Sequence, residues 1–159
     1  MRDGLVVEGF GRPAPVGSSP WAFALNRRAI ADEVEISLLT FTAVGGVVRV
    51  SGLVRSRRPD LRLSRVPDLA VQPLDGPQLT QIGAHVLPHG DLTWVSWVFE
   101  RPATVLVAYE GRIERLDLAY RSGRRSEVAS NGPWVFRFRL ECPSRRREAL
   151  GGRLGREGP

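Results

Sequence analysis

Apolar and polar residues alternate with a period of two along much of the chain from residue 34 onward. Successive side chains of a β-strand point to opposite faces of a sheet, so this period is typical of half-buried strands. The clearest unit is VEISLLTFTAVGGVVRVSGLVR, two β-rich runs joined by Gly45-Gly46. Glycine reaches the positive φ values that a two-residue turn needs. The pattern therefore predicts a β-hairpin that turns at this glycine pair.

The same turn predicts the register of the hairpin, because a one-residue slip would move every side chain to the other face. Counting outward, it pairs Ala43 with Val48, Phe41 with Val50, Leu39 with Gly52 and Ser37 with Val54 on one nearly all-apolar face, and Thr42 with Arg49 and Thr40 with Ser51 on the other.

A second hairpin is predicted in ATVLVAYEGRIERLDLAY, with its turn at Glu110-Gly111. This turn places Val105 beside Leu116 and Ala103 beside Leu118. After the first hairpin, the segment RSRRPDLRLSRVPDLAVQPLDGPQ holds four prolines, at positions 59, 67, 73 and 77, which exclude a helix or a long central strand there. Short edge strands are predicted at Leu61–Leu63 and Leu69–Val71.

Three further strands complete the pattern, at about Leu79–Leu87, at Thr93–Glu100 and in GPWVFRFRLE near the end. The last strand places Trp134, Phe136, Phe138 and Leu140 on one face, opposite Val135, Arg137, Arg139 and Glu141. Seven to nine short strands with no helix between them predict an all-β fold, a two-sheet antiparallel sandwich of immunoglobulin-like type. A small β-barrel is the alternative.

The two ends of the chain differ from this middle. Residues 1–33 are predicted to be an N-terminal arm, partly ordered. In SSPWAFALNRRAIADE, Ser19 is placed as an N-cap before Pro20, and Trp21 and Leu25 are four apart, so a short helix is one expectation and an ordered arm the other. Residues 34–142 are the predicted sandwich domain, and residues 143–159 a disordered, arginine-rich tail.

Charge changes this picture only in part. The chain of 159 residues has a net charge of +6, and all 23 basic residues are arginine. Arginine and the abundant Gly, Ala and Pro have GC-rich codons, so a GC-rich genome accounts for the absence of lysine. The tail holds five arginines and two glutamates, half of the net charge. We interpret it as a solubilising end, with an arm for nucleic acid or a membrane surface as the alternative.

The location of the protein is predicted from what the sequence lacks. One cysteine, Cys142, cannot form an internal disulfide, the first residues do not resemble a secretory signal, and no window approaches a membrane span. We expect a cytoplasmic protein without membrane association.

The stretch DLTWVSWVFERP, from Asp91 to Pro102, is unusually rich in aromatic residues. In a strand, Thr93, Val95, Trp97 and Phe99 share the core face, whereas Trp94 and Val98 share the other. An exposed tryptophan beside an apolar neighbour is typical of a binding surface. We therefore name Trp94, Val98 and Trp21 as candidate partner-binding residues. The alternatives are that the N-terminal arm folds over Trp94 through Trp21, or that this face is buried.

Catalytic and metal-binding patterns are weak. His85, His89 and Asp91 are the residue types of a two-histidine, one-carboxylate metal site, but Pro88 and Gly90 make this region a strand end and a turn. Ser96 lies in mid-strand without a neighbouring base in the sequence, and Cys142 carries no nucleophile signature. The sequence predicts a non-enzymatic protein with no catalytic residue, metal or cofactor.

Arginines cluster in RSRRPDLRLSR and again before the last strand. Charged residues protect sheet edges from aggregation, and arginines also bind the phosphates of nucleic acids. The candidate anion-binding residues are Arg55, Arg57, Arg58, Arg62, Arg65, Arg121, Arg124 and Arg125.

The order of VVRVSGLVR, a proline-rich middle, TWVSWVFERP and GPWVFRF resembles that of the uncharacterised small β-sandwich proteins of GC-rich bacteria. The resemblance covers residues 34–140 and implies the fold but no activity. The leading hypothesis is a protein-protein interaction module with an unknown protein partner. The alternative is a nucleic-acid-associated protein that uses the arginine clusters and the basic tail.

Overall fold

The structure is a computed structural model, and it describes residues 20–141. In this range two antiparallel sheets pack as a sandwich without a helix, which confirms the all-β, two-sheet prediction. The sheets do not close into a barrel, so the alternative is wrong. The nine strands of the described range are β1 (Trp21–Ala31), β2 (Val34–Val44), β3 (Val47–Ser56), β4 (Leu61–Leu63), β5 (Ala70–Pro73), β6 (Gln81–His89), β7 (Leu92–Glu100), β8 (Ala108–Tyr120) and β9 (Glu127–Arg139).

The larger sheet has the strand order β1-β2-β3-β7-β6, so β6 forms one of its edges. In the smaller sheet β8 is central, with β9 on one side and the short strands β4 and β5 on the other. The connection from β3 to β7 crosses to the smaller sheet through β4 and β5 and returns through β6. This crossing buries one face of each sheet against the other.

The hairpin of β2 and β3 confirms the predicted register near its turn and corrects it further away. Residues 40–43 pair as expected with residues 48–51. A β-bulge at Leu39 then shifts the partners, so that Leu38 faces Gly52 and Ile36 faces Val54. The predicted pairs of Leu39 with Gly52 and Ser37 with Val54 are therefore wrong. The cause is that the buried positions change from even to odd numbers at the bulge. A regular strand would turn one of the two sets outward, whereas the bulge lets both face the core. The buried residues are Val34, Ile36 and Leu38 before the bulge, and Phe41 and Ala43 after it.

The second predicted hairpin does not exist. Residues 108–120 form one continuous strand, β8, and Gly111 does not have the positive φ that the predicted turn requires. Gly111 instead pairs with Val71 on one side and Phe136 on the other. Leu116 and Leu118 do not face Val105 and Ala103, which precede β8; they pair with Ser130 and Val128 of β9. The EG dipeptide is compatible with a turn, but pairing on both sides holds it extended.

The helix predicted after Pro20 is wrong, because residues 21–31 form strand β1 beside β2. Trp21 and Leu25 lie four residues apart, a spacing that puts two side chains on one face of a strand as well as of a helix. Asn26, with φ of 48°, marks an irregularity that shifts the register of β1 against β2 by one residue. The proposed cap Ser19 and the tail from residue 143 lie outside the described residues.

The remaining strand predictions hold with small changes of boundary. Leu61–Leu63 is β4, while the second edge strand begins at Ala70 and ends at Pro73. β6 and β7 lie close to two of the predicted ranges, and the structure shows that they pair. The apolar side chains predicted to share one face of the last strand, from Trp134 to Leu140, are buried.

Two tryptophans lie in the core between the sheets with no exposed surface, Trp97 and Trp134. The indole N–H of Trp97 donates to Pro67 O at 2.7 Å, and that of Trp134 donates to Val34 O at 3.0 Å. Each buried indole therefore packs in the core and also satisfies its N–H by a hydrogen bond to the backbone of another segment.

Candidate functional site

The outer face of the larger sheet carries a row of large apolar side chains. Leu53 of β3, Trp94 of β7 and Leu87 of β6 are direct cross-strand neighbours. Trp94 is 38% exposed and Leu87 is 65% exposed. We call these three side chains the Trp94 face. Large apolar groups that remain in contact with water side by side are typical of binding surfaces.

The alternation of β7 explains why Trp94 points outward. Thr93, Val95 and Trp97 are buried against the smaller sheet, so the residues between them must face the other way. Within residues 20–141, Trp94 is consequently partly exposed on the outer face of the larger sheet.

Val98 and Trp21 do not join Trp94 in the way the sequence suggests. Val98 shares the outer face but is only 9% exposed, and its cross-strand neighbours are Gly83 and Arg49. Trp21 pairs with Ala43 on the core-facing side of the larger sheet, where its ring stacks against Phe23 at 6.1 Å. It also lies three strands from β7, about 14 Å away. Trp21 therefore neither covers Trp94 nor contributes to the Trp94 face.

A groove of about 220 Å³ adjoins the Trp94 face. Leu53 and Leu92 form its apolar part, and Ser37 supplies a hydroxyl. Its two charged residues, Glu35 and Arg55, each form an ion pair, Glu35 with Arg28 at 2.9 Å and Arg55 with Asp91 at 3.4 Å. Sequence reasoning did not identify this groove, because its lining comes from three strands, β2, β3 and β7, that are adjacent only in the folded sheet.

Strand β6 extends past the smaller sheet. Among the described strands it packs only against β7. Apart from Gly83 and Ala84, its residues are exposed, with Ile82 52% and Val86 38% exposed in addition to Leu87. None of its nine residues is Asp, Glu, Lys or Arg. It is a long uncharged edge, and such edges are templates for pairing with another strand.

The register of β6 and β7 places His85 directly opposite Ser96, which corrects the view that this serine has no neighbouring base. Ser96 Oγ is buried and has no hydrogen-bond partner among the described residues. Without a hydrogen bond from the hydroxyl to the imidazole, the pair does not have the geometry of an activated nucleophile.

The possible metal ligands do not converge. His85 lies within β6 and His89 at its end, while Asp91 forms an ion pair with Arg55 at 3.4 Å. Over residues 20–141, no group of three or more His, Cys, Asp or Glu side chains could hold a metal ion.

The two arginine clusters meet at one end of the sandwich. Leu61 of β4 pairs with Tyr120 of β8, and the N–H of Arg121 donates to Asp60 O at 2.8 Å, which brings the β3–β4 and β8–β9 loops together. The guanidinium of Arg121 also donates to Gly90 O in the β6–β7 turn. We call the residues gathered here the basic end: Arg55, Arg57, Arg58, Arg62, Arg121, Arg124 and Arg125.

Some of these arginines are neutralised and others are not. Arg58 is paired with Asp60 at 3.0 Å, and this hydrogen bond is the main reason why the pKa of Arg58 is raised. Arg57, Arg62 and Arg125 are in no ion pair within the described part of the chain. The basic end therefore keeps uncompensated positive charge.

An aromatic ring lies among these charges, which the sequence did not reveal. The guanidinium of Arg124 lies 5.7 Å from the centre of the Tyr120 ring. The Tyr120 hydroxyl also contributes, after Asp60, to the raised pKa of Arg58. The ring is partly buried against the core. Aromatic rings beside arginines are a feature of surfaces that stack nucleic-acid bases.

Arg65, the remaining member of the predicted anion-binding set, is paired with Asp117 of β8. Arg115 contacts the same carboxylate at 3.1 Å. The hydrogen bond from Arg65 is the largest cause that lowers the pKa of Asp117, and burial opposes it. Arg65 is therefore already paired with a buried carboxylate of the fold, which makes it a weaker candidate for binding an external anion.

A larger cavity, of about 370 Å³, lies between the loop that follows β5 and the loop that follows β7. Pro73, Pro77 and Pro102 line it together with Glu100 and Arg101. No predicted site residue lies there.

No protein-family model and no curated protein matches the sequence. In the described range, no helix has the length and apolar composition needed to cross a bilayer.

Proposed function

We propose that this chain is a cytoplasmic, non-enzymatic β-sandwich of immunoglobulin-like type that acts as a protein-protein interaction module. Its binding surface is the Trp94 face, and its partner is a protein that presents an apolar side chain flanked by polar groups. The observation that carries the proposal is the contiguous row of Leu53, Trp94 and Leu87 on the outer face of the larger sheet.

The groove beside Leu53 supports this proposal. Interface hot spots are aromatic or large apolar side chains that meet a pocket and are surrounded by polar groups. Here the exposed indole of Trp94 lies one strand from Leu53, which lines the groove with Glu35 and Arg55. An apolar anchor of the partner would fill the groove and pack against the indole, while its polar neighbours meet these two charges.

The test compares Trp94→Ala with Leu74→Ala. Both residues are large and exposed, but Leu74 follows β5 in the smaller sheet, away from the Trp94 face. Each purified full-length variant is used to recover partners from nuclease-treated native lysate, and near-ultraviolet circular dichroism checks the fold. We expect Trp94→Ala to lose a partner that the wild type and Leu74→Ala both retain.

Two outcomes contradict this proposal. If Trp94→Ala recovers the same partner as the wild type, the Trp94 face does not bind it. If Trp94→Ala loses as much stability as Trp97→Ala, the indole of Trp94 is structural, and loss of binding would only report unfolding.

A second candidate function, association with nucleic acid, is favoured by the convergence of the two arginine clusters around Tyr120. Phosphates would pair with Arg57, Arg62 and Arg125, while an unpaired base would stack on the ring. Affinity for mixed RNA or DNA is then expected to fall by orders of magnitude between roughly 50 and 200 mM salt. Deletion of residues 143–159 should make this dependence shallower. Absence of binding at the lower salt concentration rejects this candidate.

A further inference from the structure

The other edges of the two sheets are protected against pairing with another chain, as sheet edges in natural proteins usually are. At the outer edge of the larger sheet, β1 carries Arg27 and Arg28, and the side chain of Arg27 donates to Arg137 O of β9. On the far side of β8, the edge is divided between β4 and β5, with Pro67 between them. Apart from the four-residue β5, β6 is the only edge strand of the described residues whose sequence has no Asp, Glu, Lys or Arg.

The regular part of β6 is short and symmetric. A register shift between Gln81 and Gly83 interrupts it at one end, and Pro88, which has no N–H to donate, interrupts it at the other. The uninterrupted segment is Gly83–Leu87, which we call the β6 edge, and His85 is its centre. Alternate residues of this segment direct their backbone groups away from β7, toward a side where none of the nine strands in residues 20–141 lies.

We propose that the β6 edge pairs antiparallel with the β6 edge of a second copy of this chain, about a two-fold axis at His85. The pairing joins the two larger sheets into one continuous ten-stranded sheet. It is an isologous contact, in which each copy offers the same surface to the other.

The side chains of the β6 edge are complementary to themselves in this register. On the outer face, Leu87 of one copy lies opposite Gly83 of the other. The space above Gly83 is open, since an added Cβ would contact only Val98 Cβ, at 3.9 Å. On the other face, Val86 lies opposite Ala84. A large side chain therefore faces a small one on both sides of the joined sheet.

Charge does not oppose the antiparallel pairing of two copies. The β6–β7 turn at Gly90 belongs to the basic end, through the hydrogen bond from Arg121. Antiparallel pairing about His85 puts the two Gly90 turns about 33 Å apart, at 3.3 Å per residue. This distance is several times the Debye length of about 8 Å at physiological salt, so the two basic ends do not repel each other appreciably.

The size of the contact predicts a weak dimer. Five paired residues span about 17 Å, and with the flanking side chains they cover roughly half of the 800 Å² per partner that standard interfaces bury. We therefore expect a reversible dimer that forms at about 10–500 μM protein, in the range of small interfaces.

The first experiment is sedimentation velocity of the full-length chain over that concentration range, for the wild type, Val86→Lys and Leu74→Lys. Val86 is partly exposed and lies on the opposite face from Trp94, so lysine there adds charge to the β6 edge without altering the Trp94 face. We expect Val86→Lys to weaken dimerisation at least about tenfold, because charge on an edge strand opposes pairing, and Leu74→Lys to match the wild type.

The second experiment tests the register by disulfide formation in a Cys142→Ser background. At the two-fold axis the two Cα atoms of residue 85 are about 4.5–5.5 Å apart, which lies within the range for a disulfide. The two copies of residue 89 are about 26 Å apart. His85→Cys should therefore form a covalent dimer on oxidation with diamide, whereas the matched variant His89→Cys should remain monomeric.

Three results would overturn the inference. The first is a chain that stays monomeric throughout the concentration range, and the second is a dimer that Val86→Lys does not weaken. The third is a covalent dimer that forms as readily in His89→Cys as in His85→Cys. A β6 edge that binds a segment of another protein would show the first of these results. The inference stands apart from the proposed function, because Val86→Lys tests the edge and Trp94→Ala tests the outer face, so either can fail alone.

Discussion

Gly52 of β3 lies opposite the bulge of β2, where a side chain has no room. An added Cβ would lie 2.6 Å from Ser37 O and 3.3 Å from Leu38 Cδ2. Real Cβ atoms essentially never approach other atoms closer than 3.0 Å, so the carbonyl of Ser37 must retreat by at least the 0.4 Å that separates the two values. Because this carbonyl is backbone within the sheet, β2 and β3 must move apart locally.

We expect Gly52→Ala to destabilise the fold by about 2–3 kcal/mol. Overpacking typically costs about 1–3 kcal/mol, and distorted backbone hydrogen bonds around Leu38 add about 1 kcal/mol. Replacing glycine by alanine also reduces the conformational entropy of the unfolded chain, which stabilises the fold by about 0.4–1 kcal/mol. The net loss corresponds to a Tm lower by roughly 8 °C for a domain of this size.

The measurement is urea unfolding followed by tryptophan fluorescence, with Gly111→Ala as the matched control. Both glycines are buried within central strands, but an added Cβ at Gly111 would meet its nearest neighbour, Leu69 Cδ1, at an ordinary 3.6 Å. The free energy of unfolding of Gly111→Ala should lie within about 0.5 kcal/mol of the wild-type value, or slightly above it. Equal effects of the two substitutions would refute the close approach of Ser37 O to Gly52.

Three further predictions concern the core and pH. Trp97→Ala should cost about 3–5 kcal/mol in urea unfolding, because it leaves a cavity and removes the hydrogen bond to Pro67 O; a loss below 1 kcal/mol would contradict the central packing of this ring. Burial raises the pKa of Tyr109 to about 12, above the ordinary value of 10.0. The unfolded chain therefore loses this proton first, so stability present below pH 10 falls by about 2 kcal/mol toward pH 12, and Tyr109→Phe should remove that part of the fall. Asp117 has a lowered pKa, chiefly through the hydrogen bond from Arg65, so its contribution is present at neutral pH and is lost as pH falls through the folded pKa. Asp117→Asn should accordingly be less stable than the wild type at pH 7, and the difference should close at acidic pH, below the ordinary value of 3.8.

Apart from β1, the part of β2 before its bulge and the continuous β8, local patterns predicted most of the strands and which side of them faces the core. The glycine pair at Gly45-Gly46 and the alternation of β7 are examples, since turn geometry and the pleat act over two to four residues. The same alternation predicted that Trp94 points away from the core. It did not indicate that Leu53 and Leu87 flank Trp94, because these residues come from strands that are distant in sequence.

The errors have a common physical origin in pairing between distant segments. Gly111 was predicted to lie in a turn because its local sequence allows one, yet partners on both sides of β8 hold it extended. The bulge at Leu39 likewise depends on distant contacts. The apolar residues before and after it would face opposite sides of a regular strand, and the bulge lets both sets pack against the smaller sheet.

The sequence by itself determined an all-β chain, its principal strands and the outward direction of Trp94, because a two-residue period and glycine turns are local properties. Only the tertiary structure decided the order of the strands, the extension of β6 past the smaller sheet, the meeting of His85 with Ser96 and the gathering of the arginines around Tyr120. Each of these depends on which strands pair, and pairing is selected by the free energy of burying both sheets together rather than by any single segment.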